Sequence, residues 1–168
     1  MRRFGKALKT KVRVSNETNN RFNEDALTYS GTGDMRTTNA STGYTTISGG
    51  TASGTWNVLL NANAENFVIS DANTTAYSSM TLSFGIRKST TAENGSSLTI
   101  EVSSDGTTWS TLTMPVLPTG TGTATWHYVT CTGTIPSTAN LRIRFTSSYG
   151  TNLFNIDDVE LQGISSVS

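Results

Sequence analysis

Apolar and polar residues alternate in short runs along most of the chain. The cleanest run is Met80, Leu82, Phe84 and Ile86, separated by Thr81, Ser83 and Gly85. A period of two sends one set to each face of a β-strand. Leu98, Ile100 and Val102 repeat the pattern, and Leu141, Ile143 and Phe145 do so with Arg142 and Arg144 on the other face. Further strands are expected over 56–60, 66–70, 109–114, 126–132 and 153–161, with weaker alternation over 11–15 and 26–30. Ser104-Asp105-Gly106-Thr107 between two alternating runs is a strong hairpin signal. No long stretch keeps a 3.6-residue period, and no solenoid-type repeat is present. The pattern predicts an all-β chain, a two-sheet antiparallel jelly-roll sandwich of about nine to ten strands.

The last run carries acid inside the alternation. In Leu153 to Leu161 an unbroken period of two puts Asn155, Asp157, Val159 and Leu161 on one face, and Phe154, Ile156, Asp158 and Glu160 on the other. Val159 and Leu161 point that first face at a core, so Asp157 is expected at its inner edge. A carboxylate there must be paired or hold a metal. Capping a loop or meeting an arginine would also satisfy it.

At 168 residues the chain suits one domain with a single core. Serine and threonine make up roughly a third of it, and only 14% of residues are charged, which favours strands and polar turns over surface helices. The net charge of zero conceals an asymmetry. Arg2, Arg3, Lys6, Lys9, Lys11 and Arg13 are six of the twelve basic residues, and all twelve acids come later, leaving a body of net charge about −6. The domain reading is therefore a basic arm over 1–15, with an extra strand in it, ahead of one sandwich over 16–168. A solvated terminus or docking on a neighbouring copy explains the arm, and no nucleic-acid partner is expected. No run approaches 18 apolar residues, so no membrane span is expected. Met1 to Lys11 has the charge of a signal n-region without an apolar segment after it. The Thr-rich, weakly charged composition points to an extracellular or cell-surface setting.

Catalytic chemistry finds little purchase. His127 and Cys131 are each alone of their type. Four residues apart on one strand, they would be about 13 Å apart, too far for a dyad. Glu101 and Glu160 both point outward, with nothing to make them converge as glycosidase carboxylates must. The adjacent pair Asp157 and Asp158 would face opposite ways. The glycines are too scattered for a phosphate loop. Trp109 is expected to pack over its hairpin. The chain reads as a non-enzyme.

The stretches LTYSGTGDMRTT, WNVLLNA, MTLSFGIRKSTTAENGSSLTIEVSSDGTTWSTL, NLRIRF and NIDDVEL resemble the jelly-roll, galactose-binding-like accessory domains of secreted Bacteroidetes-type proteins. The resemblance runs from about Leu27 to Leu161. It implies a module attached to extracellular enzymes or adhesins. Related carbohydrate-binding jelly rolls place a structural calcium between a glutamate near the start and the Asp of an I-D-x-[IV] motif near the end. Carried over, these are Glu17 and Asp157. Zinc has no suitable ligand set here.

Sugars are bound by aromatic faces together with amide, carboxylate and guanidinium hydrogen bonds. Trp126 and Tyr128, two apart on one strand face, would form a stacking platform. Tyr44 and Tyr149 lie in polar loops, and Arg87 ends the best strand before a polar loop over 89–95. The leading expectation is a non-catalytic extracellular module that binds polysaccharide or cell-surface glycan and carries a structural calcium. The alternative is a self-assembling subunit of an extracellular filament, its N-terminal segment exchanged into a neighbour's sheet edge.

Overall fold

The computed structural model describes residues 7–12, 27–45, 52–148 and 151–165. Its strands are β1 Ala7–Val12, β2 Thr28–Gly31, β3 Asp34–Arg36, β4 Asn57–Leu60, β5 Asn66–Ala72, β6 Tyr77–Lys88, β7 Leu98–Ser103, β8 Ser110–Leu112, β9 Trp126–Thr130, β10 Leu141–Ser147 and β11 Phe154–Ser165. They form two antiparallel sheets. One runs β3-β4-β11-β6-β9 with β1 also paired to β11, and the other runs β2-β5-β10-β7-β8. No helix among the described residues is long and apolar enough to cross a membrane.

The alternation does what its period demands. Leu82, Phe84 and Ile86 of β6 face Ile100 of β7 and Ile143 and Phe145 of β10, all nearly inaccessible to solvent. The Phe84 and Phe145 rings meet edge to face at 4.9 Å between centroids, and Phe67 stacks on Phe145 at 6.0 Å. Truncating such a core aromatic to alanine costs roughly 3–5 kcal/mol. At one side the sheets are tied by a bridge in which Thr113 and Thr132 exchange backbone hydrogen bonds of 2.8 and 2.9 Å. Cys131, beside that bridge, is buried, and burial pushes its thiol up to about 12.

The 103–109 hairpin is shaped by Asp105, whose carboxylate accepts from the Thr107 and Thr108 backbone N–H groups at 2.8 and 2.7 Å. Those bonds hold it well below the usual carboxylate range. The turn then lays Trp109 on the guanidinium of Arg144, 3.8 Å from the ring centroid. Arg144 is clamped in turn by Glu101 through Nε at 3.0 Å and Nη2 at 2.8 Å.

Two strands differ from expectation. The first spans Ala7–Val12 rather than 11–15, and residues 13–15 lie outside the described residues. The three-residue β3, which pairs with β4, was not expected from the alternation.

Candidate binding site

The alternation of β11 breaks where its acids stand. Asp157 pairs with Gly85 and Glu160 with Ser83, so Asp158 and Val159 together oppose Phe84 in a β-bulge. Asp158 takes a left-handed backbone, φ 47°, a conformation aspartate adopts more readily than most residues. The extra residue reverses the facing. Phe154 and Ile156 point into the sandwich with Val159 and Leu161, while Asn155 and Asp157 point outward with Arg87 and Gly85 of β6. The expected placement of Asp157 beside Val159 on the inner face is thus corrected. So is the expected divergence of Asp157 from Asp158, because the bulge turns both to one side.

Asp157 is nonetheless only 1% exposed, because Ser41, Tyr44 and Ser53, which come between β3 and β4, lie over it. Ser41 donates its hydroxyl to Asp157 at 2.8 Å, Ser53 donates its hydroxyl at 3.2 Å, and the Asp158 N–H donates at 2.7 Å. Asp158 accepts the Tyr44 hydroxyl at 2.5 Å and the Ser53 N–H at 2.9 Å. Next to them Asn155 donates its side-chain amide to Asn57 at 2.7 Å, and Asn57 donates to the Thr38 carbonyl. The cluster offers two carboxylates and three hydroxyls, an all-oxygen set of the kind a hard cation takes. Glu17, the other expected calcium ligand, lies outside the described residues. Among the described residues, no three His, Cys, Asp or Glu side chains converge.

Tyr44 lies against Gly85, where any β-carbon would collide with its ring and hydroxyl. It also packs 6.1 Å from Trp126, edge-on, and 5.2 Å from Tyr128. Burial, the hydrogen bond to Asp158 and the nearby carboxylate charges all push the Tyr44 hydroxyl pKa far up. Burial, with Glu160 and Asp158 nearby, raises Tyr128 to about 12. Trp126 and Tyr128 do share one face, as the alternation required, but they are 4% and 6% exposed, and the Trp126 indole donates to the Asn39 carbonyl at 2.8 Å. The open platform expected of these two rings is therefore covered. Arg87 is half-buried at the same level, its Nη1 3.4 Å from Asn155 Oδ1. Tyr149 lies outside the described residues.

An open concavity bordered by polar side chains lies at the end of β6. A cavity of about 350 Å³ is lined by Thr90, Ala92, Glu93, Ser97, Thr151 and Asn152. Glu93 organises it. Its carboxylate accepts from the Gly95 N–H at 2.7 Å, the Ser97 hydroxyl at 2.9 Å and the Asn152 amide at 2.6 Å. Asn152 in turn accepts the Thr90 hydroxyl at 2.8 Å. Sequence reasoning marked the polar loop over 89–95 but not Glu93 or Asn152. Their only signal was an acid among small polar residues and an amide beside Tyr149.

The other titratable groups are dispersed. Glu101 lies on the outer face of the five-stranded sheet and Glu160 on that of the six-stranded sheet, where it bonds Gln162, so the two cannot flank one glycosidic bond. His127 is buried, with Nδ1 at 3.0 Å from the Thr45 hydroxyl and Nε2 at 2.9 Å from the Thr123 carbonyl.

No protein-family model and no curated sequence matches the chain. Solved structures do. A family 35 carbohydrate-binding module from Cellvibrio japonicus Abf62 superposes with a TM-score of 0.52 at 18% identity, covering 93% of this chain and 92% of that one. A family 35 module from Clostridium thermocellum gives 0.53 at 16% identity, covering 92% and 97%. The fold is a two-sheet jelly-roll sandwich like that of these two modules. At such identities the likeness speaks for the sandwich, and the site must be argued from its own residues.

Proposed function

We propose that this chain is a non-catalytic, extracellular carbohydrate-binding module that takes a neutral polysaccharide in the cavity beside Asn152. The observation that carries the reading is the cavity itself, preformed at the loop end of a jelly roll and lined by hydroxyls, an amide and a carboxylate. Such groups exchange hydrogen bonds with sugar hydroxyls. Among the described residues, no lysine or arginine lines the cavity, which favours neutral sugars over uronic acids. Retention on a panel of immobilised neutral and acidic polysaccharides tests it. Wild type should be retarded by at least one neutral polymer, and Asn152→Ala should lose about tenfold in affinity with an unchanged melting temperature. Passage of wild type through every gel without retardation would refute the reading.

Asp157 serves in this proposal as a ligand of a structural calcium, with Asp158 and the Ser41 and Ser53 hydroxyls supplying further oxygens. The ion would lock Ser41 and Ser53 onto the sheet. Calcium should then raise the melting temperature by several degrees over chelator, and Asp157→Ala should erase the difference. Identical wild-type melting curves in calcium and in chelator would remove the ion from the account. Self-assembly gains no comparable support, because Ala7–Val12 pairs with β11 of its own chain.

A further inference from the structure

The inward set of β6 does not end at Ile86. Two residues on, Lys88 points the same way and is fully buried. Its ammonium donates to the Glu93 carbonyl at 2.6 Å, the Pro118 carbonyl at 2.5 Å and the Thr123 hydroxyl at 3.2 Å. An ammonium has three N–H donors and no acceptor, so three oxygens complete its shell. Burial lowers its pKa and the Glu93 charge opposes that fall.

The oxygens come from two loops. Glu93 belongs to the loop over 89–97 that lines the cavity, whereas Pro118 and Thr123 belong to the connection between β8 and β9. The same loops are joined by Leu117 N–H to the Asn94 carbonyl at 2.8 Å and Gly120 N–H to the Thr91 carbonyl at 2.9 Å. Glu93 faces both ways. Its carbonyl receives the ammonium, and its carboxylate fixes the Asn152 amide in the cavity wall.

We propose that Lys88 is a positioning residue for ligand binding, an internal cation that gathers two loops as a bound metal ion would. The cavity is then shaped before the sugar arrives, and its shape does not depend on divalent ions. Pre-organisation of this kind raises affinity by removing the ordering cost from the binding step. The inference rests on the cavity being the glycan site, but its effect on the loops can be read without a ligand.

The test is Lys88→Met in the full chain, which keeps the apolar stem and removes the charge. Amide hydrogen exchange should be about tenfold or more faster at Gly95, Ser97, Leu117 and Gly120, with the amides of β6, β10 and β11 unchanged. Polysaccharide affinity, measured where the variant is fully folded, should fall about tenfold. Wild-type affinity at the same temperature should be the same in calcium and in chelator. Wild-type exchange and affinity in the variant would overturn the proposal, as would a stability loss with affinity intact. If Lys88→Met does not fold, Thr123→Val removes one of the ammonium's acceptors together with the hydroxyl's own bonds to the Gly120 and Thr91 carbonyls, and about threefold changes in the same two readouts are expected. Unchanged readouts in that variant would overturn the proposal equally. Should wild type bind no polysaccharide, the cavity reading and the affinity role fall together, while exchange still decides whether Lys88 orders the loops.

Discussion

On the outer face of the five-stranded sheet, Glu101, Arg144 and Trp109 lie within reach of water, the ion pair 30% and 19% exposed at its two side chains. On the outer face of the six-stranded sheet, Asn57, Asn155 and Asp157 are at most 1% exposed. Glu101 and Arg144, like Asn57, Asn155 and Asp157, occupy outward positions of strands. What separates the two sets is that Ser41, Tyr44 and Ser53, from the chain between β3 and β4, lie on one of the two sheets. A polar position in a strand is therefore a surface group or an interior one according to what the connecting chain does. The energetic stakes differ accordingly, because an acceptor lost from a dry cluster strands its donors, whereas water replaces one lost at the surface.

The sharpest way to break that comparison is Asp157→Ala, measured in chelator so that only hydrogen bonds are at issue. It deprives the Ser41 and Ser53 hydroxyls and the Asp158 N–H of their acceptor. A loss of about 3 kcal/mol is expected, a fall in melting temperature of roughly 10 °C. A fall of a degree or two would mean the cluster is wetter than its burial implies. Tyr44→Phe removes the hydroxyl's bonds to Asp158 and Ser41 and should cost about 1–2 kcal/mol by the same melt.

Alkali offers a chemical version of the same comparison. A phenol titrates near 10 in the unfolded chain. Tyr128 is held up to about 12 in the fold, so between these values the folded form keeps a proton the unfolded form has lost. Its contribution is intact below pH 10 and fades as the pH rises toward 12. Thermal melts from pH 9 to 11.5 should fall more steeply for wild type than for Tyr128→Phe, and parallel curves would dismiss this tyrosine as a source of the decline. The smallest effect is expected on the open face. Glu101→Ala should cost about 0.5–1 kcal/mol, an amount that salt should reduce in wild type.

The sandwich was legible because β6, β7 and β10 carry unbroken alternation and the Asp105-Gly106 turn stands between two such runs. The site was less so. One residue inserted at Asp158 shifted the facing of Asn155 and Asp157 relative to Val159, and a period counted across a bulge goes out of phase. The cover over Trp126 and Tyr128 comes from Tyr44, more than eighty residues earlier in the chain, a pairing no local pattern encodes. Lys88 is different, because counting on from Met80 in steps of two already reaches it. The run was read only as far as Ile86, so a lysine one step further on was not expected inside.

Cys131 gives the molecule a timer. It is the sole thiol of the chain, walled in beside the bridge between the sheets and protonated up to about pH 12. An alkylating reagent reaches it only when the sandwich opens, and the thiolate it needs forms only in that opened chain. The speed of labelling thus reports how often the two sheets part. One covalent tag per molecule, counted by mass, would record that opening in complex mixtures where no spectroscopic melt can be read.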